Sequence, residues 1–367
     1  MRALARVNLA AVERNCGRLA AVAAPAMLCA VVKAGGYGHG AVAAARAARA
    51  GGAAWLAVAT AGEAAELRAV GIGGPLLVLG ALSPEEVDVA LVAEADVVAW
   101  REGFVAELAR RGASVGVHVK LDTGMGRLGT RDAAEATRVA AAVAADPRLR
   151  LVGAMTHFAT ADEDDRGFLA EQLDAFMAWA GPLRRDHPAV LLHAANSAAT
   201  LAEPASRLDM VRCGVAIYGL DPFQRDPAAH DLEPALELRS HVAEVKRCAA
   251  GQSAGYGRRF VAGADTWLGT IPIGYGDGVR RALTNNAEVA VGGRRVPLVG
   301  AVSMDNVTVD LGPGEREPVP RGAEAVLIGP GILAEEMAAR LGTINYEVTC
   351  AISPRVPREY HRDGAAA

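Results

Sequence analysis

Eight short apolar runs alternate with stretches of helical period between residues 26 and 214, and this alternation restricts the chain more than any other feature. The runs are "AMLCAVVK" from Ala26, "AWLAVAT" from Ala54, "PLLVLG" from Pro75, "ADVVAW" from Ala95, "SVGVHVKLD" from Ser114, "LVGAMTHF" from Leu151, "AVLLHAAN" from Ala189 and "LDMVRCG" from Leu208. Segments such as "GEAAELRAVG", "SPEEVDVALVAE" and "DRGFLAEQLDAFMAWA" lie between them, with apolar residues at helical spacing and, in several, acids in the first turn. Seven of the eight runs lead clearly into a helix, the pattern of an α/β chain closing into a (β/α)8 TIM barrel. The helix after the eighth run is weak, which leaves a doubly wound sheet as the alternative.

From "DLEPALELRSHVAEVKRC" onward the texture changes to short β-rich runs punctuated by Gly-Gly and Pro-Gly. The expected division is therefore a barrel over 1–231 and a mostly antiparallel β domain over 232–367, with "PREYHRDGAAA" as a frayed tail. A net charge of −4 with dispersed basic residues and few aromatics gives no basis for nucleic-acid or anionic-membrane binding. No apolar stretch reaches membrane-spanning length, and charges interrupt the first residues where a signal peptide would be apolar. Five widely spaced cysteines without a CxxC pair fit reduced thiols in a cytoplasm, and the eight histidines form no metal-ligand spacing.

A parallel barrel gathers its chemistry at the C-terminal ends of the strands. Lys33 ends the first run; Lys120, Asp122 and Arg127 follow the fifth; His157 ends the sixth; Asn196 and Ser197 end the seventh; Arg212 and Gly214 end the eighth. Each has a bland reading alone, but polar residues at five strand ends converge on one mouth. Barrels commonly bind phosphate after their last two strands, and Ser197 with the Gly214 and Val215 amides suits that role. The glycines of "VVKAGGYGHG" follow Lys33 rather than precede it, which excludes a P-loop. A phosphate-bearing cofactor beside a strand-end lysine points to pyridoxal 5'-phosphate, whose aldehyde forms a Schiff base with an amine.

At these residues the chain resembles a known family. "AVVKAGGYGHG" is similar to the "AVVKANAYGHG" signature of alanine racemases, the fold-type III pyridoxal phosphate enzymes. "VKLDTGMGRLG", "THFATADE", "HAANSAATL", "MVRCGVAIYGL", "PIGYGDG", "VGAVSMDNVTVDL" and "TINYEVTCAIS" look like further blocks of that family, in its order and across nearly the whole chain. The resemblance implies a barrel joined to a β domain, a cytoplasmic homodimer with shared active sites, and supply of D-alanine for peptidoglycan. It implies that Lys33 holds the cofactor and acts as one acid/base group, and that Tyr256 from the other subunit acts as the second. Arg127 and Met304 would meet the substrate, and a carbamylated Lys120 would orient Arg127. Tyr37, Ser197, Gly214, Val215 and Tyr346 would hold the phosphate, Arg212 the pyridine nitrogen, and His157 would link Arg212 to the tyrosine.

These roles make chemical sense. Racemisation removes a proton from one face of Cα and delivers one to the other, so two bases on opposite sides are needed. An arginine cannot give up a proton, so it leaves the cofactor ring neutral and a weaker electron sink. Four positions depart from the family pattern. Gly35 and Gly36 replace Asn-Ala, Ala301 replaces an arginine, and Pro354 replaces a tyrosine that supports the catalytic one. Three readings therefore stay beside alanine racemisation: a racemase for serine or a broader amino-acid set, a non-catalytic pyridoxal phosphate homeostasis protein on the same barrel, and a fold-type III decarboxylase.

Overall fold

The computed structural model describes residues 1–112 and 114–367, which group into two compact units. One comprises Val12–Gly36 and Ala41–Ile217; the other comprises Met1–Ala11, Tyr37–Gly40 and Tyr218–Ala367. The strands in chain order begin with β1 (Ala3–Asn8), followed by β2 (Met27–Val31), β3 (Trp55–Val58), β4 (Leu76–Val78), β5 (Asp96–Ala99), β6 (Val115–Lys120), β7 (Leu149–Met155), β8 (Leu191–His193) and β9 (Met210–Cys213).

Strands β2 to β9 form an eight-stranded parallel sheet in the order β8-β7-β6-β5-β4-β3-β2-β9. Because β9 pairs with β2, Cys29 opposite Arg212, the sheet curls round on itself. Backbone bonds from Asp209 N to Leu192 O (3.0 Å) and from Arg212 N to Ala195 O (2.9 Å) bridge the last seam, which makes a nearly closed barrel. Strands such as β3, β4 and β5 are buried at every position, because a parallel sheet wrapped by helices has no wet face. Helix starts are set locally: Thr60 and Ser83 each form a capping box with the glutamate three residues on, and Pro84 occupies the first turn. All eight barrel strands expected from the sequence are present. The weak eighth helix is a 3-10 turn, Val215–Tyr218.

The second unit is built on a ten-stranded sheet that includes β10 (Leu236–His241), β11 (Glu244–Cys248), β14 (Thr266–Ile271), β15 (Ala287–Val291), β16 (Arg294–Val299), β17 (Val307–Gly312), β18 (Glu324–Ile328), β19 (Arg358–Arg362) and β20 (Ala365–Ala366). A separate hairpin joins β12 (Ser253–Ala254) to β13 (Phe260–Val261). Pairing in the large sheet is antiparallel except for β1 with β19.

Two expectations are corrected here. Residues 3–8, expected with the barrel, form a strand of the second sheet, antiparallel to β10 and parallel to β19. Its two-residue alternation, with Ala3, Ala5 and Val7 buried, is too short and alanine-rich to stand out. The tail expected to fray is held instead as β19 and β20, with Arg358 Nε donating to Gly38 O at 3.0 Å.

Candidate active site

Lys33 lies two residues beyond β2 and opens a turn in which Ala34, Gly35, Gly36 and Tyr37 all have left-handed φ, between 52° and 63°. Such a run is costly for residues with a Cβ and is tolerated where glycines share it. The Glu63 carboxylate fixes the turn by accepting the Ala34 N–H at 2.6 Å.

The other strand ends meet this one around Arg212. Its Nη1 donates to His193 O (2.9 Å) and lies 3.0 Å from His193 Nδ1. Its Nη2 donates to Thr156 O (2.7 Å) and Ala194 O (3.0 Å) and lies 3.1 Å from His157 Nδ1. Both histidine nitrogens must accept, because a guanidinium has only donors. Burial, then the charges of Arg212, Lys120, Arg127 and Lys33, push His157 well below the ordinary imidazole value, so it is neutral with its proton on Nε2. Complete burial lowers Arg212 itself to about 10, which still leaves it a cation at neutral pH. No acceptor among the described residues takes its Nε–H.

Lys120, at the end of β6, is buried and its Nζ has no hydrogen-bond partner among the described residues. Burial first, and then Arg212 and Arg127 against the pull of Asp122, lower its amine to about 8. Asp122 shapes the following loop by accepting from Gly124 N and Gly126 N, both at 3.1 Å, and this loop carries Arg127 out to an exposed position. Ser197 opens the helix Ser197–Ala202, and its Oγ accepts from Gly214 N (3.1 Å) and Ala216 N (3.4 Å). The buried Val215 N–H between those two has no acceptor among the described residues.

The second unit carries the remaining sequence candidates in two places. Tyr37 is buried, its ring centroid 5.1 Å from Tyr218 and 6.0 Å from Tyr346. Tyr256 begins a 3-10 turn and is 74% exposed, and Met304 is 51% exposed. Their loops pack closely: a Cβ on Gly255 would come within 2.9 Å of Ala301 N, and one on Gly300 within 2.9 Å of Ala254 O.

The family models for the alanine racemase N-terminal and C-terminal domains match residues 7–222 and 235–360. The chain belongs to the alanine racemase family. It is 39% identical to alanine racemase 1 of Bacillus subtilis over 98% of this chain and 93% of that one. It is 41% identical to the alanine racemase of Frankia casuarinae, covering 98% of this chain and 96% of that one. Among solved structures, the alanine racemase of Streptomyces coelicolor A3(2) superposes with a TM-score of 0.92 at 37% identity, covering 98% of both chains. That of Bacillus anthracis with bound L-Ala-P superposes at 0.91 with 36% identity, over 100% of this chain and 96% of that one.

In this alanine racemase family member, the barrel brings Lys120, His157, Ser197, Arg212, Gly214 and Val215 to one end, with Lys33 and Arg127 in electrostatic reach of His157. Arg355, next to the family departure Pro354, bonds Asp305 at 2.7 Å and pairs with the buried Asp277. Sequence reading passed over His193 and His118. Both sit inside apolar runs, and a histidine interrupting an otherwise apolar barrel strand was the signal available.

Proposed function

We propose that this chain interconverts L-alanine and D-alanine with pyridoxal 5'-phosphate, and supplies D-alanine for peptidoglycan from the cytoplasm. The observation that carries the reading is Arg212, a buried cation with every terminal N–H engaged and only Nε–H open. That single open donor suits an acceptor nitrogen that is to stay unprotonated. Two other groups fit the cofactor: the buried Val215 N–H beside Ser197, without an acceptor among the described residues, suits a phosphate oxygen, and the partly exposed Lys33 leaves the barrel at the same end. Tyr37 and Tyr346 are assigned to the phosphate on the family resemblance alone.

When bound, the cofactor withdraws electron density from the substrate Cα and so acidifies its C–H. The chain's own residues do the rest. Lys33 holds the cofactor through Nζ and takes or returns the proton on one face of Cα. Tyr256 of a second copy serves the other face. Its high exposure, with that of Met304 and Tyr275 (44%), leaves an apolar and phenolic surface for a homodimer to cover. Arg127 binds the substrate carboxylate, Met304 of the second copy lines the site, and carbamylated Lys120 orients Arg127. His157, neutral and with Nε2–H free to donate, connects Arg212 to the tyrosine base.

The test is D-isomer formation from single L-amino acids by the purified protein, read beside the absorbance of the lysine-bound cofactor. Alanine is expected to be the best substrate, and Lys33→Ala to abolish the absorbance band. Faster turnover of serine or another amino acid would overturn the substrate assignment. No helix among the described residues is long and apolar enough to cross a membrane.

A further inference from the structure

The barrel core holds a line of polar side chains that the proposed reaction does not use. His118 and His193 are fully buried, and Asp96 at the start of β5 is 7% exposed. His193 Nδ1 accepts from Arg212 Nη1 at 3.0 Å, so its ring proton must be on Nε2. That nitrogen is 2.8 Å from His118 Nδ1, which must therefore accept, leaving the His118 proton on Nε2 as well. His118 Nε2 in turn lies 3.5 Å from Asp96 Oδ2, an electrostatic contact rather than a formed hydrogen bond. A donor-only guanidinium at one end thus dictates every tautomer along the line. Burial and the Arg212 charge hold His193 well below the ordinary imidazole value, which keeps it neutral and able to accept.

The fold makes room for this line. A Cβ on Gly153 of β7 would strike His118 Nδ1 and come within 2.9 Å of His193 Nε2. A Cβ on Gly116 of β6 would run into the Asp96 carboxylate. The Trp55 ring meets His118 edge-on at 5.4 Å. Barrel interiors are ordinarily filled by branched apolar side chains, and buried polar groups are costly there. Asp96 faces a cavity of about 710 Å³ at the N-terminal end of the strands, opposite the catalytic mouth, where Arg150 Nη2 reaches its Oδ1 at 3.2 Å.

We propose that Asp96, His118 and His193 form a one-way relay that fixes the orientation of Arg212 and supports its charge, making both histidines positioning residues for the reaction. The Asp96 charge, 3.5 Å from His118 Nε2, polarises the His118 ring by its field, and the hydrogen bond from His193 passes this on, so a carboxylate at the far end makes His193 Nδ1 a better acceptor for Arg212. The role of Arg212 rests on the proposed function; the relay itself is tested independently of turnover.

The experiment is long-range proton–nitrogen NMR on the full-length protein carrying 15N-histidine, with wild type, Asp96→Asn, His193→Gln and His193→Leu. His118, His157 and His193 are expected in the Nε2–H form, and Asp96→Asn is expected to shift the His193 Nδ1 resonance from two links away. Asp96→Asn should lower kcat about 10-fold with KM for alanine little changed, as supporting residues around a site commonly do. Glutamine can both accept from Arg212 and donate to His118, so His193→Gln should keep most of the kcat that His193→Leu loses. An Nδ1–H form at either core histidine, an unmoved His193 resonance in Asp96→Asn, or equal kcat in the two His193 variants would overturn the relay. If His193→Leu does not fold, the tautomers and the Asp96→Asn shift decide alone. A wild type that shows these tautomers but racemises nothing would refute the proposed function and leave the relay standing.

Discussion

Lys120 offers the sharpest test of how the barrel mouth is built. Its amine is buried without an acceptor among the described residues and is lowered from 10.5 to about 8. At pH 7 about one-tenth of it is then the free base, against about 0.03% for an ordinary lysine, roughly a 300-fold gain in nucleophile for carbon dioxide. Carbamylation joins the nitrogen of the free amine to the carbon of carbon dioxide and releases one proton; counted from the ammonium form, two protons leave and a cation among Arg212 and Arg127 becomes an anion. The stability consequence has a definite sign. Because the folded value is depressed, the unfolded chain binds the extra proton between pH 8 and 10.5, so stability rises with pH across that window. The charged, unmodified lysine therefore costs roughly 3–4 kcal/mol below pH 8, taken from the 10.5-to-8 difference at about 1.4 kcal/mol per pKa unit. Two assays check this. Protein equilibrated with 13C-bicarbonate should show a carbamate carbon resonance that Lys120→Ala lacks. In buffer free of carbon dioxide, denaturant unfolding should show the pH slope, and Lys120→Met should flatten it. No carbamate signal, or a signal that survives in Lys120→Ala, would refute carbamylation; an identical slope in Lys120→Met would refute the burial argument.

Three further outcomes are expected. Tyr256→Phe should fold normally, since the side chain is 74% exposed, yet lose at least about 100-fold in kcat, with proton exchange from one alanine enantiomer hurt more than from the other. Gly153→Ala should destabilise the barrel by roughly 1–3 kcal/mol in denaturant unfolding, because its methyl overlaps the two core histidines. Burial works to raise the Asp277 carboxyl, but bonds from Arg2 and Gly274 N–H and the charge of Arg355 outweigh it and hold it below 3.8. Its contribution is present above that pH and disappears as pH falls through the folded value. Asp277→Asn should therefore cost roughly 1–3 kcal/mol at pH 7 and progressively less as the pH is lowered below 3.8, read by unfolding across that range.

Much of this protein was legible from the sequence because it is written locally. Period-2 and fully apolar runs, capping residues such as Thr60 and Ser83, and the Lys-Ala-Gly-Gly turn act over a few neighbours, so the eight barrel strands and the residues at their ends could be named without coordinates. The strand Ala3–Asn8 and the tail strand Arg358–Arg362 could not be, because the first pairs only, and the second chiefly, with chain more than two hundred residues away. The same holds for the electrostatics. That Lys120 loses its acceptors, that Arg212 keeps one open donor, and that His118 and His193 line up behind it follow from side chains on separate strands being brought within 3 Å in a medium of low dielectric. The sequence alone determined which groups stand at the strand ends. Only barrel closure decided which of them face one another, and so which are charged, which are neutral and which way each proton points.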